Sequence, residues 1–156
     1  MNICFWMIGK TNSQEFKTWE NDFIKRIKGF TNFTPEVIDH VKNIKESDLL
    51  KLEESKKIIS RLKKEDHLIL LDEKGKTYTS KLFALEIEKL AMAATNKRII
   101  FLVGGAFGFH EDLYSRANGL ISLSSMTFSH QLIRLIFLEQ LYRAFAIINN
   151  HPYHNE

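Results

Sequence analysis

The sequence predicts an α/β domain, a mostly parallel β-sheet covered by helices on both faces. Three observations point there. Short apolar runs at residues 3–8, 68–71 and 99–103 alternate with amphipathic stretches of helical period. Those runs are apolar on consecutive residues rather than every second one, as in strands buried on both faces. No internal repeat, low-complexity tract or linker divides the 156 residues, so residues 1–156 read as a single domain.

Ile3-Cys4-Phe5-Trp6-Met7-Ile8 opens the sheet. The run is too short for a signal core, lacks a basic lead and is followed by polar residues, so it reads as a strand. Ser13 then caps a helix to about Lys28, with Phe16, Trp19, Phe23 and Ile27 as its buried stripe and Gly29 as its stop. A second strand is expected over Glu36 to Val41, after Pro35. Ser47 opens a charged helix through Leu49, Leu52, Ile58 and Leu62. His67 to Asp72 reads as a central strand and Asp72 to Lys76 as a turn. Ser80 to Ala94 is expected to be helical with Leu82, Leu85, Ile87 and Leu90 inward. Ile99 to Val103 is the fourth strand, Gly119 to Ile121 a further short one, and His130 to Ile148 a last helix.

Composition bounds the function classes. Apolar residues at 44% against 26% charged exclude disordered and fibrous classes. Arg134, Glu139 and Arg143 interrupt the longest apolar stretch, so a soluble protein is expected, with no membrane partner. The single Cys4 lies among apolar neighbours; a buried inert thiol and a reducing cytoplasm are expected, and neither a disulfide nor a Cys-based zinc cluster can form within the chain. A net charge of +3 is compatible with RNA without demanding it. The basic clusters at residues 25–28 and 56–64 serve equally as phosphate contacts or as solvated helix faces.

The last third carries the candidate chemistry. Gly104-Gly105-Ala106-Phe107-Gly108 follows a strand, yet it is neither the Gly-x-Gly-x-x-Gly dinucleotide pattern nor a P-loop. Its glycines admit a ligand close to the backbone, or simply form a tight turn. With no Lys or Arg in or beside the loop, a neutral or cationic ligand fits better than a phosphate. The hydroxyls of Ser122, Ser124, Ser125, Thr127 and Ser129 include at least one helix cap. Five of them in eight positions suggest an irregular loop around a group that needs both donors and acceptors, such as an adenine edge. Without Gly-x-Ser-x-Gly or an Asp partner, a nucleophilic Ser is disfavoured.

In the last helix His130 and Arg134 share a stripe, Arg143 lies about half a turn round, and most of the rest is Leu, Ile, Phe, Tyr or Ala. Such a helix needs cover on nearly every side, and a subunit interface would supply it. Glu139 and Arg143 form an i, i+4 pair that either contributes to a site or neutralises itself at that interface. His110, His130, His151 and His154 lack the carboxylate or Cys company of a metal site, so no metal is expected. The tail His151-Pro152-Tyr153-His154 either folds over a pocket, stacking on a base and moving a proton, or frays.

At these residues the chain resembles the RlmH family of SPOUT-class methyltransferases. The resemblance rests on Leu102-Val103-Gly104-Gly105-Ala106-Phe107-Gly108, Leu123-Ser124-Ser125-Met126-Thr127-Phe128-Ser129-His130-Gln131-Leu132-Ile133-Arg134, Glu139-Gln140-Leu141-Tyr142-Arg143-Ala144 and Pro152-Tyr153-His154. It implies a SPOUT-type α/β fold with a C-terminal trefoil knot, a homodimer, and methylation of N3 of a pseudouridine in large-subunit (23S) ribosomal RNA, on assembled ribosomes. The methyl donor it implies is S-adenosylmethionine, held by Leu71, Gly104, Leu123, Ser124, Ser125, Met126, Thr127 and Phe128. His154 and His130 are then the candidate proton acceptors. Tyr153 is a candidate to stack on or orient the base, and Arg134 and Arg143 are candidates to pair with RNA phosphate or a developing anion, unless both are structural. Asn155 stands where most members carry a basic residue, which bears on an RNA contact and not on the chemistry. The alternatives are a SPOUT methyltransferase of another ribosomal or transfer-RNA nucleotide, and a ribosome-binding assembly factor without turnover.

Overall fold

The structure, a computed structural model, describes residues 1–155. Its elements are β1 (Asn2–Ile8), α1 (Gln14–Lys28), β2 (Asn32–Ile38), α2 (Ser47–Arg61), β3 (His67–Thr77), α3 (Ser80–Ala93), β4 (Arg98–Val103), α4 (Glu111–Arg116), β5 (Gly119–Ser122) and α5 (Leu132–Ile148). The five strands form one sheet in the order β2-β1-β4-β3-β5, with every pairing parallel. All the strands therefore end on the same side, and that side collects the loops of the last third.

Alternate residues of each strand feed two cores. Ile3, Phe5 and Met7 join Ile69, Phe101 and Val103 beneath α1, α3 and α5, where Phe137 packs on Phe5 and Phe101 with ring centres 4.6 and 4.9 Å apart. Trp6, Leu68, Leu70, Ile100 and Leu102 face the other way, onto Ile58 of α2 and Leu113 of α4. Burial on both faces is what the unbroken apolar runs require.

Several boundaries and faces differ from expectation. β2 begins at Asn32 and contains Pro35, which an edge strand tolerates because one row of its N–H groups has no neighbour to bond. The cap of α2 is Glu46, whose carboxylate accepts from the N–H groups of Asp48 and Leu49 at 2.9 and 2.7 Å. The expected turn at residues 72–76 is an irregularity within β3, after which Lys76 and Thr77 again pair with β5. α4 was not legible, being a helix of only six residues capped by His110.

Trp19, Leu82 and Leu85 are not inward: they are 59%, 51% and 50% exposed, and Phe83 and Ala84 take the buried positions of α3. Conversely, no residue of α5 is exposed, because the sheet, α1, α3 and the tail cover it within one protomer. Ile133 and Ile136 stay half-buried, so unpartnered apolar surface lies on α5 as well as on the outer sides of its neighbours. Among the described residues no helix is long and apolar enough to cross a membrane.

Candidate active site

A cleft of about 550 Å³ opens where β3, β4 and β5 end. That volume is within the range of small-molecule sites, about 300–1,000 Å³. Leu71 and Asp72 to Lys74 form one wall, Val103 to Phe109 another, and Ser122 to His130 the third, with Ile133 of α5 and Lys51 of α2 at its margins. Of the residues expected to hold a donor, Leu71, Gly104, Leu123, Ser124, Met126, Thr127 and Phe128 line it; Ser125 does not.

The glycine loop is shaped for close approach. Gly108 adopts φ +79, which a side chain would strain, and its N–H donates to the Gly105 carbonyl at 3.3 Å. At Gly104 a methyl group would sit 3.1 Å from the Phe109 ring. In the hydroxyl loop Ser122 donates to the Ser124 carbonyl at 2.9 Å, and Ser124 Oγ accepts from the Met126 N–H at 2.9 Å. Ser129 Oγ accepts from the Leu132 N–H at 3.1 Å in the turn that leads into α5. The hydroxyls of Ser125 and Thr127 bond to no other described residue. Loop geometry thus consumes three of the five hydroxyls, and Thr127 remains available in the cleft wall.

Asp72, Lys74 and Tyr114 are among the lining residues that escaped the sequence reading. Tyr114, from the unforeseen α4, donates to Asp72 at 2.5 Å beneath the Lys74 ammonium, which lies 5.1 Å above its ring. Burial, and then the bond to Asp72, push the phenol well above its ordinary range, so it remains a neutral donor. Aspartate, tyrosine and lysine at this spacing carry no motif. Only the strand order brings them together.

The expected catalytic residues divide into two places. His130 lines the cleft. Its pKa is lowered by burial and by the nearby positive charge of Arg134, which favours a neutral imidazole. Arg134 itself is fully buried: its guanidinium donates to the carbonyls of Ile8 and Gly9 at 2.7 and 2.8 Å and to Thr11 Oγ at 3.3 Å. Thr11 in turn donates to Glu20. From this position Arg134 fastens α5 to the end of β1, with its Nε buried and without a hydrogen-bond partner among the described residues.

Arg143, Tyr153 and His154 gather at the other end of α5. Arg143 pairs with Glu139 at 2.5 Å, lies 4.8 Å over the Tyr153 ring, and approaches His154 Nδ1 at 3.2 Å. Tyr153 donates to Glu139 at 3.1 Å and packs edge-on against Tyr142. Burial first, then the Glu139 charge, raise the Tyr153 phenol. The tail is therefore docked rather than frayed. Because a guanidinium only donates, Nδ1 of His154 is the accepting nitrogen here. From Ile133 at the cleft to Arg143 is ten residues of helix, about 15 Å at 1.5 Å each, so one protomer does not bring His130 and His154 together.

Among the described residues no group of three or more His, Cys, Asp or Glu side chains could hold a metal.

Similarity to known proteins agrees with this geometry. Residues 1–154 match the family model described as "Predicted SPOUT methyltransferase". The ribosomal RNA large subunit methyltransferase H of Flavobacterium johnsoniae is 44% identical over 100% of both chains, and that of Cytophaga hutchinsonii is 47% identical over 99% of this chain and 100% of its own. A putative methyltransferase from Legionella pneumophila, solved with the bound cofactor SAM, overlays 92% of this chain and 66% of its own at 14% identity, with a TM-score of 0.49. On the whole-length match of its family model and of these relatives, the chain belongs to the SPOUT methyltransferase family.

Proposed function

We propose that this chain is a single-domain SPOUT enzyme that transfers a methyl group from S-adenosylmethionine to N3 of a pseudouridine in large-subunit ribosomal RNA, acting in the cytoplasm as a homodimer. The observation that carries the reading is the cleft at the strand ends, two of whose three walls are irregular loops without Lys or Arg. It suits an adenosyl group with a cationic appendage: Thr127 and the loop backbone offer donors and acceptors, and no Lys or Arg stands in either loop. Names of relatives near 45% identity along the whole chain support the substrate.

A C-terminal trefoil knot is part of the proposal. β5 lies at one edge of the sheet beside β3, yet the chain that leaves it reaches the end of β1 on the far side of β4. There Gln131 bonds to Asn12 N–H and to the Lys10 carbonyl at 2.9 and 3.3 Å. A return across two strand ends is the path a threaded segment would take.

One surface supports the homodimer. Trp19, Phe23, Leu135, Ile136 and Gln140 line an apolar groove between α1 and α5, and a second copy is its proposed occupant. Two-fold packing of antiparallel α5 helices would set the tail of one protomer beside the cleft of the other, spanning the 15 Å or so that separate them in one chain.

The donor, when bound, supplies an electrophilic methyl carbon. The protein's own part is to hold N3 in line with it, to exclude water and to take the N3 proton. We assign that proton to Nδ1 of His154, freed as Arg143 turns its guanidinium to the developing uracil-like anion. Tyr153 orients the base, and His130, neutral at the cleft wall, is the competing acceptor. Incubation of the protein with labelled S-adenosylmethionine and ribosomes from cells lacking the enzyme, followed by nucleoside mapping, tests this reading. Label on N3 of one large-subunit pseudouridine is the expected result. Label in another nucleotide, in protein or nowhere would refute it.

A further inference from the structure

Glu54 is a buried charge that the reaction outlined above does not use. It projects from α2 and is only 8% exposed. The other buried carboxylates are all provided for: Glu20 takes the Thr11 hydroxyl at 2.8 Å, and Asp66 takes Arg98 at 2.6 Å. Glu54 has no hydrogen bond or ion pair with any described residue. Lys51, one turn earlier, has its ammonium 3.6 Å from Asp48 instead. Burial alone pushes the Glu54 carboxyl above its ordinary value.

Its direction is informative. A methyl group on Gly105 would lie 3.7 Å from each of the two Glu54 oxygens, so the carboxylate borders the glycine loop at the cleft, which Gly105 and Lys51 both line. An unpaired buried carboxylate is costly to hold ionised. A cation entering beside it would recover that cost, whereas a phosphate would be repelled.

Resting on the methyl-transfer reading, we propose that Glu54 is the anionic wall of the donor site and receives a cationic group of S-adenosylmethionine, either its sulfonium or its α-ammonium. Its role is positioning and selectivity: it favours the charged donor over neutral nucleosides of the same shape, and Gly105 lacks a side chain so that donor and carboxylate can approach.

Calorimetric titration of the dimer with three ligands tests this. S-adenosylmethionine carries both cations, S-adenosylhomocysteine only the ammonium, and methylthioadenosine neither. Replacing Glu54→Gln should weaken S-adenosylmethionine at least fivefold while methylthioadenosine changes by less than twofold, and Glu54→Asp should regain part of the loss. A parallel loss for S-adenosylhomocysteine assigns the contact to the ammonium, and its absence assigns it to the sulfonium; both support the proposal. Unchanged affinity for S-adenosylmethionine, or an equal loss for all three ligands, overturns it while the methyl-transfer reading stands. A native protein that binds none of the three overturns both.

Discussion

At the amino ends of β3 and β4, Asp66 accepts from Arg98 Nε at 3.0 Å and Nη2 at 2.6 Å and from Lys63 N–H at 2.7 Å, while Arg116 donates to the Lys63 and Asp66 carbonyls, both at 3.0 Å. Asn118 exchanges two bonds with Leu68 beside them, both at 2.8 Å. At the carboxyl ends of the same strands lie a glycine loop, a hydroxyl loop closed largely on itself, and two exposed large apolar side chains, Phe107 and Met126. The chain places its charge-paired ties where the sheet must hold and leaves backbone where a ligand must fit. Local stability is unequal by construction.

The largest effect should come from the tied end. Asp66→Ala strands the Arg98 charge, which is only partly exposed, and should lower unfolding free energy by about 3 kcal/mol in urea titrations. Burial by itself raises the Asp66 carboxyl, but the bonds from Arg98 and Lys63 reverse this and hold it below its usual value. The stabilisation is therefore complete above the unfolded carboxylate value of about 4 and is lost as pH falls through the lowered folded value. The stability gap between the native protein and Asp66→Asn should accordingly narrow in acid. A gap that stays constant with pH would show that Asp66 acts by shape alone.

At the open end the same size of change should appear in rate rather than stability. His154→Ala should slow single-turnover methylation by about 100-fold or more, with the urea midpoint nearly unmoved; an unchanged rate transfers the proton to His130. Ser124→Ala removes the acceptor of the Met126 N–H and should cost about 1 kcal/mol in donor affinity, roughly fivefold, by calorimetry. Met126→Ser, at an exposed position, should alter stability by less than about 0.5 kcal/mol. A larger loss would mean that the loop is part of the core after all.

How legible the two ends were follows the same division. β1, β4 and the span of α1 are local events, a buried run or a capped period, and the sequence reading places them within a residue or two. The outward turn of Trp19, Leu82 and Leu85 was not legible, because periodicity shows an apolar stripe without telling a core from a surface awaiting a partner. The cleft loops stood out by composition. Asp72 and Tyr114 did not, since each reaches the cleft from a separate element and only the order β4-β3-β5 assembles them, and Glu54 comes to border Gly105 only through the packing of α2. The sequence left Arg134 open between a phosphate or anion contact and a structural role, because a buried guanidinium bonded to carbonyls has the same one-letter signature as an exposed one.

The central claim, that the cleft of one protomer is completed by the tail of the other, is tested most directly by co-expressing two inactive variants. Gly105→Leu fills the cleft and leaves the tail intact; His154→Ala does the reverse. If the tail works in trans, random pairing gives mixed dimers with one sound site, and methylation of ribosomes should return to about a quarter of the native level. Activity no greater than that of either variant alone would place cleft and tail in the same chain and contradict the account.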